Sequence, residues 1–449
     1  MERCILPAVL AVMVTSCTKK LDSAANNPNV PAFVTPGVLL TAAQGDLAYT
    51  VGGDIARYTG IFTQHIHGNG GGRQPDAWQR YSFTASDFNP AWANTYAGFL
   101  KNLSLLKKQS DSLGYVIYGG ISRCLLAYGL VQSTDLWNNI PYGQAFQGND
   151  NLTPAYITQS AIYDTAFNLL NQALTLFTRT DALPLPYAND IIYGTSNPAT
   201  AGSSEVADWI NFAHAMKARA YIHLAKKDPS NYAKALAEIN SSNFSSGAND
   251  ARFYFFTTST GAAPMNQYLN TRGDIIFGPT YSALSASFND NARKALFDFS
   301  DAPDGVGAYF VSNQQLPLLT NVEVQFMKAE CLLKTGASDA QVRAAYLAGI
   351  QQSFKDLGVS AAYAAYAAQA SVTPVGNVSL THIITQKYLA MYCDPELFND
   401  WRRTGIPALV PSVSTQIPRR FLYPQTELDY NSANTPAGVG LYDKVWWDQ

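Results

Sequence analysis

Residues 321–354 read NVEVQFMKAECLLKTGASDAQVRAAYLAGIQQSF, and the spacing of their apolar side chains decides the fold class. Val322, Phe326, Ala329 and Leu333 recur every three or four positions, which puts them on one face of a helix. Gly336 follows the last of them and suits a helix C-terminal stop. Ser338 then opens a second helix, with Gln341 three residues on to complete a capping box. Val342, Ala345, Tyr346, Gly349, Ile350 and Phe354 form the second stripe, and its small residues let two helices approach closely. The stretch is a helix–turn–helix pair, apolar on one side.

The same pattern recurs along the chain. In YVIYGGISRCLLAYGLVQ, Ile117, Ile121, Cys124, Leu125 and Tyr128 share a helical face, and the preceding helical stretch, 85–112, ends near Gly114. Residues 157–177 are periodic. In 203–229, Trp209, Phe212, Ala213, Met216, Ala220 and Leu224 line one side before Asp228-Pro229 ends the helix. A final pair starts at Ser379, with Leu380, Ile383, Ile384, Tyr388 and Met391 facing inward. Helix pairs that each need a neighbour to cover one face imply a mainly α fold, a degenerate tetratricopeptide-like array. Long insertions interrupt it at 60–84, 180–204 and 242–319, and such insertions concentrate on one face, where recognition resides.

The 449 residues are 47% hydrophobic and 14% charged, the balance of a globular chain. With a net charge of −3 and scattered Lys and Arg, the chain has no electrostatic footprint for nucleic acid. The opening MERCILPAVLAVMVTSCTKKLDS carries Arg3, then an apolar run too short to span a bilayer, then small residues before Cys17. Val14-Thr15-Ser16-Cys17 resembles a lipobox. It implies a signal peptide over 1–16, a diacylglyceryl group on Cys17 and a Pro-broken tether over 17–36, leaving 37–449 as a single domain. Cys124, Cys331 and Cys393 remain in apolar helical contexts; three is odd, so buried free thiols are expected rather than a disulfide framework.

No catalytic constellation is found. HExxH, Gly-x-Ser-x-Gly, P-loop and CxxC patterns are absent, and the GNGGG loop at 68–72 lacks the Lys-Ser/Thr of a phosphate cradle. His65-Ile66-His67 is expected to be a helix end with a polar turn rather than a metal site. Asp135 near Trp137 and Asp400 beside Trp401 read as caps or ion pairs. The paired arginines Arg402-Arg403 and Arg419-Arg420 suit helix C-terminal carbonyls or carboxylates. The chain is expected not to be an enzyme and to need no metal or cofactor.

TDLWNNIPYGQAF (134–146), VEVQFMKAECLLKTG (322–336), YCDPELFNDWRRTGIPAL (392–409), IPRRFLYPQTE (417–427) and the closing KVWWD (444–448) occur in an order that resembles the SusD/RagB family of outer-membrane nutrient-binding lipoproteins. The resemblance covers nearly the whole chain after Cys17. It implies tetratricopeptide-like pairs packed against a loop-rich ligand-binding half, display at the cell surface, and a TonB-dependent SusC-like barrel as partner. It implies capture of oligosaccharide or, in RagB-like relatives, of peptide; a tetratricopeptide scaffold without soluble ligand is the rival from another class.

Sugars are recognised by an aromatic face together with amides and charged groups for the hydroxyls. The insertion GNGGGRQPDAWQRYSF offers Trp78 and Tyr81 flanked by Arg73, Gln74, Asp76 and Gln79. PMNQYLNTRGD offers Asn266, Tyr268 and Arg272. The alternative for Trp78 is a loop residue that plugs the helical scaffold.

Overall fold

A computed structural model describes residues 34–181, 183, 189–194, 205–244, 247–300, 306–413 and 415–449. The expected signal peptide, Cys17, most of the tether and most of the 180–204 insertion lie outside these residues. Among the described residues no helix is long and apolar enough to cross a membrane.

The fold is mainly α. Lys101–Leu113 and Val116–Trp137 turn at Gly114, whose φ of +73° is the left-handed conformation that glycine adopts without steric cost. Gln159–Phe177 packs on Val116–Trp137, and Glu205–Leu224 packs on both before turning into Asn231–Ser241. Asn321–Lys334 then continues the stack with Asp339–Asp356 and Leu380–Ala390. The quoted 321–354 stretch folds as its spacing dictates. Ser338 accepts from the Gln341 backbone N–H while the Gln341 side chain reaches back, and a Cβ at Gly349 would sit 3.1 Å from the Phe326 ring. That contact is what the small residue admits.

Between the helix pairs runs a seam of buried charge. Arg219 pairs with both oxygens of Glu323 at 2.8 and 2.5 Å, and His223 lies between Asp135 (3.1 Å) and Glu396 (2.6 Å). Lys387 reaches Asp400 at 2.7 Å, and Arg403 bridges Asp400 and Glu330, each at 2.7 Å. Asp135 also accepts from the Tyr163 hydroxyl and from the indole of Trp447, so the chain's last tryptophan is locked into the first helix layer. Arg402 donates to the carbonyls of Asp135 and Arg419, and Arg419 pairs with Asp448. The sequence motifs around Asp135, Asp400 and the paired arginines are thus the polar joints of the helical half. Cys124, Cys331 and Cys393 are buried free thiols.

Two expectations are corrected. The 85–112 stretch is not one helix: Ala85–Phe88, Asn89–Ala93, Asn94–Leu100 and Lys101–Leu113 follow one another, with a restart at Asn89-Pro90 and a break at Gly98 (φ −87°, ψ −109°). The His65-Ile66-His67 segment is not a polar turn. Ile66–Gly68 is a short strand paired antiparallel with Ile275–Phe277, with Ile66 opposite Phe277 and Gly68 opposite Ile275. His65 is buried, stacked on Tyr388 at 4.1 Å, and desolvation pushes its pKa down to about 3, so the ring is neutral.

The remaining strands are equally short, Ile140–Pro141 with Tyr156–Ile157 and Ala251–Tyr254 with Gln315–Leu319. They clip loops together rather than build a sheet.

Candidate functional site

The Ile66–Gly68 and Ile275–Phe277 ladder brings two insertions to one face. Gly278 N–H donates to the His65 carbonyl at 2.8 Å, and Asn69 N–H donates to the Asp274 carbonyl at 3.1 Å, extending the clasp at both ends. The Asn69 side chain adds a bond to the Gly273 carbonyl at 3.1 Å. The glycine loop 70–72 is folded back by Asp76, whose carboxylate accepts from Gly70 N–H (2.8 Å) and Arg73 N–H (3.0 Å) at the start of the Gln74–Gln79 helix. Gly68 is needed there, since a Cβ would lie 2.2 Å from the Asp76 side chain.

This arrangement sorts six of the nine residues singled out from the sequence. Arg73 and Arg272 are exposed and Tyr268 is half-buried, all on the joined face. Arg272 donates to Gln74 Oε1 at 3.4 Å across the two insertions, and its Nε pairs with Asp274 at 3.0 Å. The Arg272 guanidinium lies 5.4 Å from the Tyr268 ring centroid, and that of Arg57 lies 4.6 Å from it. Arg57 itself pairs with Asp54. Burial, then the neighbouring Asp274 carboxylate, hold the Tyr268 hydroxyl well above its usual pKa, so it remains a neutral donor.

The other three residues stand elsewhere. Trp78 is 3% exposed: its indole donates to Asp87 at 3.2 Å, its ring stacks on Phe83, and Tyr58 meets it edge-on at 5.0 Å. Tyr81 is 5% exposed, packed edge-on to Phe62, and its hydroxyl accepts from Ser412 N–H at 3.4 Å. Asn266 is buried beneath Tyr268 in the Pro264–Arg272 helix, donating to the Phe310 carbonyl at 2.8 Å and accepting from Asn270. As sugar platforms Trp78 and Tyr81 are therefore corrected. Their rings are spent on the aromatic core that supports the loop, and Asn266 is spent on fixing the helix.

Arg57 and Asn69 were not found by sequence reasoning. Arg57 sits in the Ala56–Phe62 helix ahead of the insertion, and only the folded chain places it against Tyr268. The face presents guanidinium and amide donors, carboxylate and amide acceptors, and one tyrosine, which is the chemistry of hydroxyl-rich or amide-rich ligands. Among the described residues there is no group of three or more His, Cys, Asp or Glu arranged to hold a metal ion.

Comparison with known proteins agrees with this architecture. The family model described as SusD-like, "Starch-binding associating with outer membrane", matches residues 28–309 and 270–424. Among curated proteins no sequence matches. Solved structures do. A SusD-like protein of Bacteroidetes AC2a aligns with a TM-score of 0.77 at 19% identity, over 93% of this chain and 100% of its own. A SusD/RagB family protein from Bacteroides thetaiotaomicron gives 0.75 at 20% identity, over 93% and 99%. A chitin-binding SusD homolog from Flavobacterium johnsoniae gives 0.75 at 20%, over 91% and 98%. With ordered motifs, stacked helix pairs, a loop-rich half and a family model that runs across most of its length, the chain belongs to the SusD-like family of starch-binding proteins that associate with the outer membrane.

Proposed function

We propose that the protein is a cell-surface lipoprotein, anchored through Cys17 to the outer membrane, that captures oligosaccharide and passes it to a TonB-dependent SusC-like barrel. It catalyses nothing itself. The observation that carries the reading is the strand clasp, which gathers Arg73, Gln74, Tyr268 and Arg272 from distant insertions onto one solvent-facing surface. Hydroxyl-rich ligands suit such a surface because planar guanidinium and amide groups offer fixed pairs of donors and acceptors, and an aromatic ring covers the sugar's CH face. The family description and the chitin-binding relative support a glycan over a peptide. Barrel partner and lipid anchor rest on the family resemblance and on the Val14–Cys17 lipobox.

The test is binding by the domain without its first 33 residues to a glycan array and to a peptide library. Tyr268→Ala and Arg272→Ala are each expected to weaken oligosaccharide binding about tenfold or more, with thermal stability close to unchanged. Unchanged affinity in both variants removes this face from the site, and selective binding of peptides replaces the glycan reading. Co-purification of the full-length protein with an outer-membrane barrel from its native envelope tests the delivery step, and metabolic labelling with a fatty acid tests Cys17.

A further inference from the structure

Away from the loop face, a cavity of about 350 Å³ opens where the Gln315–Leu319 strand, the end of the Asp339–Asp356 helix and the turn at 391–394 meet. Phe297, Leu357 and Met391 give it an apolar wall, and Arg252, Asp356 and Asp394 give it charge. The charge does not cancel. Arg252 Nη2 is already engaged by Asp250 and Asp356, both at 2.6 Å, so one guanidinium faces two carboxylates before Asp394 is counted. Asp394 Oδ1 accepts from Glu396 N–H at 2.9 Å; among the described residues Oδ2 has no hydrogen-bond partner. Burial, and then the nearby Glu323, push its carboxyl up to about 7 against the pull of Arg219.

A carboxylate in a cavity with excess negative charge and an apolar wall selects a cation that carries a carbon skeleton. A bare metal ion would want several oxygen ligands converging, and the described residues bring no such group together. We propose that this cavity is a second ligand site, taking a small organic ammonium such as an amino sugar or the amine of a short peptide. Asp394 Oδ2 accepts from the ammonium, and Phe297, Leu357 and Met391 cover its carbons. The site is independent of the loop face and stands whether or not oligosaccharide binds there.

Calorimetric titration of the domain without its first 33 residues at pH 7 tests this, with glucosamine and leucinol as ammonium probes and glucose and N-acetylglucosamine as neutral ones. Both amines, or one of them, are expected to bind at least about tenfold more tightly than the neutral sugars, and the tighter amine identifies the source. Asp394→Asn, which keeps the Oδ1 bond to Glu396, should erase that preference. Ala308→Trp at the exposed rim should block both amines while leaving the carboxylate intact, so the result survives if Asp394→Asn proves unstable in a thermal melt. Tyr268→Ala should change nothing here. Equal binding of amines and neutral sugars overturns the proposal, as does amine binding indifferent to both cavity variants, or displacement of the amines by millimolar calcium or magnesium.

Discussion

The helical seam and the loop around Trp78 are held by different contacts. In the helical half, charged side chains are buried in pairs: Arg219 with Glu323, His223 with Asp135 and Glu396, Lys387 and Arg403 with Asp400. In the loop half, Tyr58, Trp78, Phe83, Phe88 and Phe421 pack ring against ring, with Phe88 and Phe421 4.8 Å apart and Trp78 and Tyr58 5.0 Å apart. Helices satisfy their own backbone and bury regular stripes, which can slide past one another by a turn; an ion pair is satisfied in one register only. Loops have no periodic stripe to bury. Their order must come from large side chains with many contacts each, and aromatic rings supply the most apolar area per residue.

The comparison can be broken from either side. The largest effect is expected in the helical seam: Glu323→Ala takes both close carboxylate contacts from the buried Arg219 guanidinium, leaving Glu396 at 3.9 Å, and should cost about 3–5 kcal/mol in denaturant unfolding. A loss below 1 kcal/mol would show that the seam is not what fixes the helices. Trp78→Ala removes the largest ring packed on Tyr58 and Phe83 and should cost about 3 kcal/mol, felt first as protease sensitivity near residues 69–84 while helical circular dichroism stays intact. If Trp78→Ala instead abolishes oligosaccharide binding with no loss of stability, the ring is a ligand platform that opens on binding.

A smaller effect follows from titration of the seam. Glu396 and Asp135 raise the His223 pKa to about 9 despite burial that lowers it. A raised histidine stabilises fully below its unfolded value near 6.5, and this contribution is lost as pH climbs through 9. The loss is at most about 3 kcal/mol between those limits, at about 1.4 kcal/mol for each unit of displacement. Asp394, raised to about 7, spends its own contribution mostly below that window. Unfolding free energy measured at pH 6.5 and 9 should therefore fall in the wild type and stay flatter in His223→Gln. Parallel curves for the two proteins would assign the alkaline loss to other groups.

Much of the helical half was legible because its signals are local. The Ser338–Gln341 box and the stop at Gly336 lie within a few residues of one another, and the stripe from Val342 to Phe354 needs only its own spacing. The loop half was not legible, because its outcome is set by partners far along the chain. Trp78 in a glycine-flanked polar loop reads equally well as a platform or as a plug; the choice is made by Tyr58, Phe83 and Asp87 folding around it. Asn266 and Tyr268 are two residues apart and looked alike, yet one faces Phe310 and the other the surface. The approach of Arg57 to Tyr268 depends on a strand pairing that joins residue 66 to residue 277, which spacing alone does not contain.

That pairing also bears on how such a molecule changes its diet. The clasp between 65–69 and 274–278 is made of main-chain bonds, which are blind to side-chain identity except where Gly68 and Gly278 leave no room. The exposed positions on either side of it, Arg73, Gln74, Thr271 and Arg272, can accordingly be rewritten together while the clasp and the charged helices behind it stay as they are. Meeting a new polymer would then mean revising two short surface segments, with the fold that carries them left as it is.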